Sequence, residues 1–181
     1  MKYLVASDIH GSAYYCKKML EAYEREQAEK LVLLGDILYH GPRNDLPLEY
    51  GPKQVIPMLN EHKNEILAIR GNCDAEVDQM VLEFPIMADY AMFELKKGRM
   101  VYISHGHVYH EGKLPPMRKG DVFLYGHTHV LRAEEVEGIT YLNPGSVSIP
   151  KEGNPSTYAV LEADRFIIKT FENEIVKEYQ L

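Results

Sequence analysis

The chain has 181 residues, 45% of them apolar, which suits one compact domain spanning residues 1–181 with a sizeable core. Twenty Lys and Arg against 27 Asp and Glu give a net charge of −7, so the chain lacks the basic balance that drives stable nucleic-acid binding by counterion release. Two cysteines, Cys16 and Cys73, do not make a disulfide scaffold, and the opening MKYLVASDIHG is too short and too polar for a signal peptide or a membrane span. A cytoplasmic protein with no membrane partner is expected.

The N-terminal half alternates between strand and helix. Tyr3 to Ala6 reads as a strand, and Cys16, Met19, Leu20 and Tyr23 then recur at helical spacing. Leu31 to Leu34 is a continuous apolar run ending at Gly35-Asp36, as expected of a buried strand. Val55 to Leu59 predicts a short or kinked helix because Pro57 lies inside it. Glu65 to Ile69 is another strand, ending at Gly71-Asn72, and Val77 to Leu82 predicts a short helix. The pattern is βαβαβ with a parallel sheet. The C-terminal half predicts strands at Tyr90 to Leu95, Met100 to Ile103, Val122 to Leu124, Ile139 to Leu142, Thr157 to Leu161 and Arg165 to Phe171. Turns are expected at Lys97-Gly98 and Ala163-Asp164, and a loop from Gly112 to Gly120. Two sheets packed face to face, with helices outside, account for this order.

Chemistry-bearing residues gather at strand ends. Ser7-Asp8-Ile9-His10-Gly11, Gly35-Asp36, Gly71-Asn72-Cys73-Asp74, Ser104-His105-Gly106-His107 and Gly126-His127-Thr128-His129 each follow an apolar strand. In sheets of this kind, sites form at the carboxyl ends of strands. Asp8-x-His10 and His127-x-His129 can each aim two side chains at one region, because alternate residues of an extended segment point the same way. Imidazole suits Zn, Mn, Fe, Co or Ni, and carboxylate and amide oxygens suit Mn and Mg. Any one of these motifs alone is a weak signal, but five in this order point to a metal pair. A carboxylate such as Asp36 can bridge two cations, and two cations about 3.5–4 Å apart stabilise both oxygens of an in-line displacement.

The ordered motifs D-x-H, G-D, G-N-x-D, H-G-H and G-H-x-H resemble those of the calcineurin-like metallophosphoesterases. The stretches GDILYHGPRNDLP, IRGNCDAEVDQM and LNPGSVSIPKEGNPSTY resemble the bacterial YfcE-type phosphodiesterases in particular. The resemblance implies a four-layer α/β/β/α sandwich of two mixed sheets. It implies that Asp8, His10, Asp36 and His129 hold one metal, and Asp36, Asn72, His105 and His127 a second. Mn is the expected ion, with Zn, Fe, Co, Ni or Mg as substitutes. The activity implied is hydrolysis of small phosphodiesters by a metal-bridging hydroxide. Asp36, Asn72, Cys73 and Asp74 are the candidate catalytic residues, and Arg43, Asn44 and His107 the candidate substrate contacts. The Arg43 guanidinium offers a planar fork of donors suited to phosphate oxygens.

One position departs from the family pattern. Where relatives carry a His that protonates the leaving oxygen, this chain has Cys73. A thiol is a poor proton shuttle at neutral pH. Asp74, which would orient that His, is left without its usual task. Asn143-Pro144-Gly145-Ser146 resembles a supporting turn beneath the site. A binding scaffold is the runner-up reading, since eukaryotic retromer uses the same fold without the catalytic His, but a scaffold has no need of all seven ligands. A metallo-β-lactamase type is excluded by the absence of H-x-H-x-D-H, because His127-Thr128-His129 continues as Val130-Leu131-Arg132. The substrate partner that the resemblance implies is a small phosphate ester. Relatives of this type often form dimers, so a homodimer or higher homo-oligomer is open to this chain, and the sequence does not decide the oligomeric state.

Overall fold

In the computed structural model, which describes residues 1–96 and 98–181, the long apolar runs become the central strands of two mixed sheets. The first sheet uses β1 (Tyr3–Ala6), β2 (Lys30–Leu33), β3 (Ile66–Ala68), β9 (Thr157–Leu161), β10 (Arg165–Thr170) and β11 (Ile175–Gln180), in the order β11-β10-β9-β1-β2-β3. The second uses β4 (Tyr90–Lys96), β5 (Arg99–Ser104), β6 (Val122–Tyr125), β7 (Leu131–Val136) and β8 (Ile139–Pro144), in the order β4-β5-β6-β8-β7. The middle of each sheet is parallel: β1 pairs with β2 and β2 with β3, while β5 pairs with β6 and β6 with β8. Every parallel strand therefore delivers its carboxyl end to the same edge.

Side-chain alternation builds the layers. In β1, Tyr3 and Val5 face the second sheet, where they join Val101, Ile103, Val122 and Leu124 in one buried cluster. Leu4 and Ala6 face the other way, against the helices. Helix α1 (Ala13–Arg25) buries Cys16, Met19, Ala22 and Tyr23 there, and its N-cap Ser12 accepts the Tyr15 N–H at 3.2 Å. Helix α2 (Pro52–Asn60) adds Val55 and Leu59. Pro57 cannot donate to the carbonyl one turn back, and the helix around it is short, at nine residues. The short helix α3 (Glu76–Gln79) buries nothing of its own and starts one residue before the expected span. On the outer face of the second sheet, Tyr102, Phe123 and Tyr141 are covered by Tyr109, Leu114 and Met117. Among the described residues this fourth layer is turn-rich chain rather than helix.

Two strands went unread in the sequence, β7 and β11. Both are outermost strands of their sheets and largely polar, so neither shows an apolar run. Of the expected Lys97-Gly98 turn, Lys97 lies outside the described residues; Gly98 has a φ of +80°. The second hairpin is closed where expected, with the Glu162 N–H donating to the Arg165 carbonyl at 2.9 Å. No helix among the described residues is long and apolar enough to cross a membrane.

Candidate metal centre

The turns that follow the parallel strands bend sharply enough to bring their side chains together. Asp8 and His10 lie after β1, Asp36 after β2, Asn72 after β3, His105 after β5, and His127 and His129 after β6. Five of these residues adopt left-handed backbone angles: Asp8 (φ 58°), His10 (49°), Asp36 (54°), His127 (64°) and His129 (59°). Such a conformation costs a non-glycine residue ~1–3 kcal/mol and persists where the surroundings over-determine it. Glycine is needed here mainly for close approach. A Cβ on Gly126 would meet Ser7 Oγ at 1.8 Å, and one on Gly71 would meet Asp36 Oδ1 at 2.1 Å.

Each carboxylate is anchored by one oxygen and offers the other. Asp8 Oδ2 accepts from Ser7 Oγ at 2.6 Å and from the His127 N–H at 3.1 Å. Its Oδ1 is buried with no hydrogen-bond partner and faces His129 Nε2 at 3.2 Å and His10 Nε2 at 3.6 Å. Asp36 Oδ1 accepts the Cys73 N–H at 2.8 Å, leaving Oδ2 3.4 Å from His105 Nε2 and 3.7 Å from His10 Nε2.

The histidines are oriented in the same manner. The Nδ1–H of His10 donates to the Tyr39 carbonyl at 2.8 Å, that of His105 to Leu34 at 2.6 Å, and that of His129 to Ile149. A carbonyl can only accept, so in the neutral ring Nδ1 carries the proton and Nε2 presents a lone pair to the centre. His127 is reversed, with its Nδ1 3.2 Å from His105 Nε2. Asn72 Oδ1 lies 3.1 Å from the same Nε2. Lone pairs and carboxylate oxygens therefore face one another, as in the 3.4 Å approach of His10 Nε2 to His129 Nε2. Such a set of acceptors calls for cations, and the unpartnered Asp8 Oδ1 marks where one fits. The ligand atoms of Asp8, His10 and His129 lie within 4.8 Å of one another, as do those of Asp8, Asp36 and His105.

The same crowding sets the titration behaviour. Burial works against every charge here, but the His10 and His129 contacts hold Asp8 well below the usual carboxylate range. Burial also disfavours a charged His105, yet Asp36 and Asp8 push it up to about 9. The Cys73 thiol is raised to about 12, first by burial and then by Asp36.

The cavity over this centre has a volume of about 440 Å³. Arg43, Asn44 and Cys73 line it, as expected, together with His10, Asp36, Asn72, His127 and His129. Two residues named from the sequence, the candidate substrate contact His107 and the candidate catalytic Asp74, do not line it. His107 packs its ring against two of the gathered imidazoles, 5.3 Å from that of His105 and 6.2 Å from that of His127. Asp74 is buried and fully engaged: Oδ2 accepts the N–H groups of Asp36 and Gly71 at 2.8 and 2.7 Å, and Oδ1 that of Ile37 at 2.9 Å. It positions the Asp36 turn and does not touch the cavity. Sequence reading missed Thr128 and Lys151, which also line the cavity. Thr128 lay inside a motif already read for its histidines. Lys151 follows Pro150 in a loop whose only signal was its resemblance. The turn at 143–146 braces the floor: Asn143 Nδ2 donates to the Gly126 carbonyl at 2.9 Å, and Ser146 Oγ to the Asp8 carbonyl at 3.0 Å.

A family model described as the calcineurin-like phosphoesterase superfamily domain matches residues 1–165. The chain belongs to this superfamily. It is therefore a phosphoesterase, and the family implies divalent metal ions, which the residues gathered here fit. The chain is 49% identical to Phosphodiesterase YfcE of Escherichia coli (strain K12) over 164 residues, covering 91% of this chain and 89% of that one. It is 27% identical to Phosphodiesterase MJ0936 of Methanocaldococcus jannaschii over 174 residues, covering 91% and 95%. The solved structure of the E. coli YfcE phosphoesterase superposes with a TM-score of 0.95 at 44% identity, over 99% of this chain and 98% of that one. Vacuolar protein sorting 29 of Cryptosporidium parvum shares the fold alone, with a TM-score of 0.62 at 16% identity over 99% and 98% of the two chains.

Proposed function

We propose that this phosphoesterase is a two-metal phosphodiesterase acting on small phosphodiesters in the cytoplasm, with residues 1–181 working as one domain. Asp8, His10, Asp36 and His129 hold one ion and Asp36, Asn72, His105 and His127 the other, with Mn the expected metal. The observation that carries this reading is the placement of Asp36 Oδ2 between His10 and His105, which belong to different ion sites. Bound divalent ions would supply a nucleophile near neutral pH and offset charge on the reacting phosphate.

The chain's own residues do the rest. The Nδ1–carbonyl bonds keep three imidazoles in the ligating tautomer, and the anchored carboxylate oxygens fix Asp8 and Asp36. Arg43 and Lys151 bring positive charge to the rim of the cavity, where it offsets the net −7 of the chain for an incoming phosphate. The leaving oxygen departs toward Cys73, which offers a thiol where relatives of the broader family offer an imidazole.

The decisive experiment strips the protein of metal, restores single ions, and screens phosphodiesters and monoesters. Chelation should abolish cleavage of an activated aryl phosphodiester, and Mn should restore it. Metal-loaded protein that cleaves no phosphate ester would overturn this reading in favour of a binding scaffold.

A further inference from the structure

A second cavity, of about 410 Å³, lies on the other side of Cys73, and that residue lines both. The thiol sulfur is within 4.8 Å of the ligand atoms of His10 and Asp36, so a phosphate over the metal ligands has a substituent oxygen at the mouth of this second space. The two cavities differ in chemistry. Charged and amide side chains dominate the first, whereas Tyr39, Tyr50, Ile56, Val77 and Val81 form the walls of the second. Its one charged residue, Asp78, turns a carboxylate oxygen onto the Ala75 N–H at 2.9 Å.

Three of these apolar side chains are notably open: Tyr39 is 41% exposed, Val77 64% and Val81 41%. Contiguous exposed apolar surface beside a polar site marks something that binds there. The wall is also joined to the metal ligands. The Tyr39 carbonyl accepts a hydrogen bond from His10 Nδ1–H, and edge-on contacts run from Tyr39 to His40 and from His40 to Tyr50, at 4.7 and 5.1 Å. A phosphodiester has this same division, an anionic centre with an organic group one bond away.

We propose that this groove receives the leaving alcohol of the substrate, and that the enzyme selects phosphodiesters whose leaving alcohol is flat and apolar. The inference rests on the phosphodiesterase reading. Hydrolysis breaks the phosphorus–oxygen bond to this alcohol; water gives its oxygen to phosphorus, and the alcohol leaves through the groove with a proton taken from water.

The test uses two methyl phosphodiesters with leaving phenols of matched pKa, one single-ringed and one naphthyl, assayed with the Mn-loaded protein. The naphthyl ester should be favoured about tenfold in kcat/KM, through KM, because it buries an added ring. Val77→Asp and Val81→Asp should each cut that preference to about threefold or less. Met80→Asp, at an 83% exposed position outside the groove, should preserve it. Cleavage of both esters without preference in the parent would overturn the groove assignment and leave the phosphodiesterase reading intact. Failure to cleave either ester would overturn both. If Val77→Asp reduces the sedimenting mass while the preference persists, the groove is an interface between copies, and the proposal falls.

Discussion

Gly71→Ala is the sharpest probe of the metal centre, because the added atom has one place to go. Gly71 does not occupy the left-handed region, so alanine meets no backbone penalty there. Its Cβ would lie 2.1 Å from Asp36 Oδ1 and 2.3 Å from the Asp36 nitrogen, against the 3.4 Å at which ordinary contact begins. Something must move by about 1.3 Å, as that shortfall requires. Asp36 cannot yield freely, since Asp74 holds its N–H, Cys73 its Oδ1, and its own φ is already 54°. Overpacking of this kind costs about 1–3 kcal/mol, and a misplacement of about 1 Å costs roughly a hundredfold in rate. At about 2–4 °C per kcal/mol for a chain of this size, Tm should fall by roughly 2–12 °C. The assay is kcat on an aryl phosphodiester beside thermal unfolding and metal content by plasma emission. Activity within about threefold of the parent, with both ions retained, would refute the fixed bridging role of Asp36.

Two further outcomes follow from other residues. With no imidazole at position 73, the rate should fall steeply as leaving-group pKa rises; Cys73→His should flatten that dependence and Cys73→Ser should change it little, as read from log(kcat/KM) against leaving-group pKa. A shallow slope in the parent would mean that another group already donates the proton. Far from the site, Glu26 Oε1 accepts from Lys169 Nζ at 2.7 Å and Tyr158 OH at 2.8 Å, and although burial opposes its charge, these bonds hold its carboxyl below 4.5. Glu26→Gln should cost about 1–3 kcal/mol near pH 7. Because the folded pKa is depressed, that stabilisation is present above pH 4.5 and lost as pH falls through the folded value, so urea midpoints of parent and variant should converge in acid. A gap that widens in acid would contradict the assignment.

The sequence shows the interior of this fold and hides its margins. β1, β2 and β6 are buried along almost their whole length, so they appear as unbroken apolar runs, and the polar residues that interrupt those runs mark the site. β11 escapes notice because five of its six residues are exposed. The seven candidate ligands were legible because strand ends, glycines and histidines coincide in one chain order. Their orientation was not. That Asp74 serves the N–H groups of Asp36 and Ile37, and that the outer layer is irregular chain, depend on packing between segments distant in sequence. Lys151 shows the same limit: a lysine between Pro150 and Glu152 in a loop carries no pattern until the His129 turn is placed beside it, with the Lys151 N–H on the His129 carbonyl at 3.2 Å.

The left-handed backbone of the candidate ligands and the buried hydrogen bonds are two sides of one arrangement. A metal site must hold like-charged oxygens and lone pairs close together before any cation arrives, and the chain has no local reason to do so. Here the cost is met by groups outside the centre. Ser7 and the His127 N–H hold Asp8, Asp74 and Cys73 hold the Asp36 turn, and backbone carbonyls hold three of the imidazoles. Each anchor spends one atom of a ligand on the protein and leaves the other for the centre. Cys73 belongs to this scheme through its backbone N–H, which binds Asp36 whatever side chain it carries. The side chain at 73 is thereby free to differ from the family's histidine without disturbing the candidate ligands, and the thiol standing there borders polar cavity and apolar groove alike.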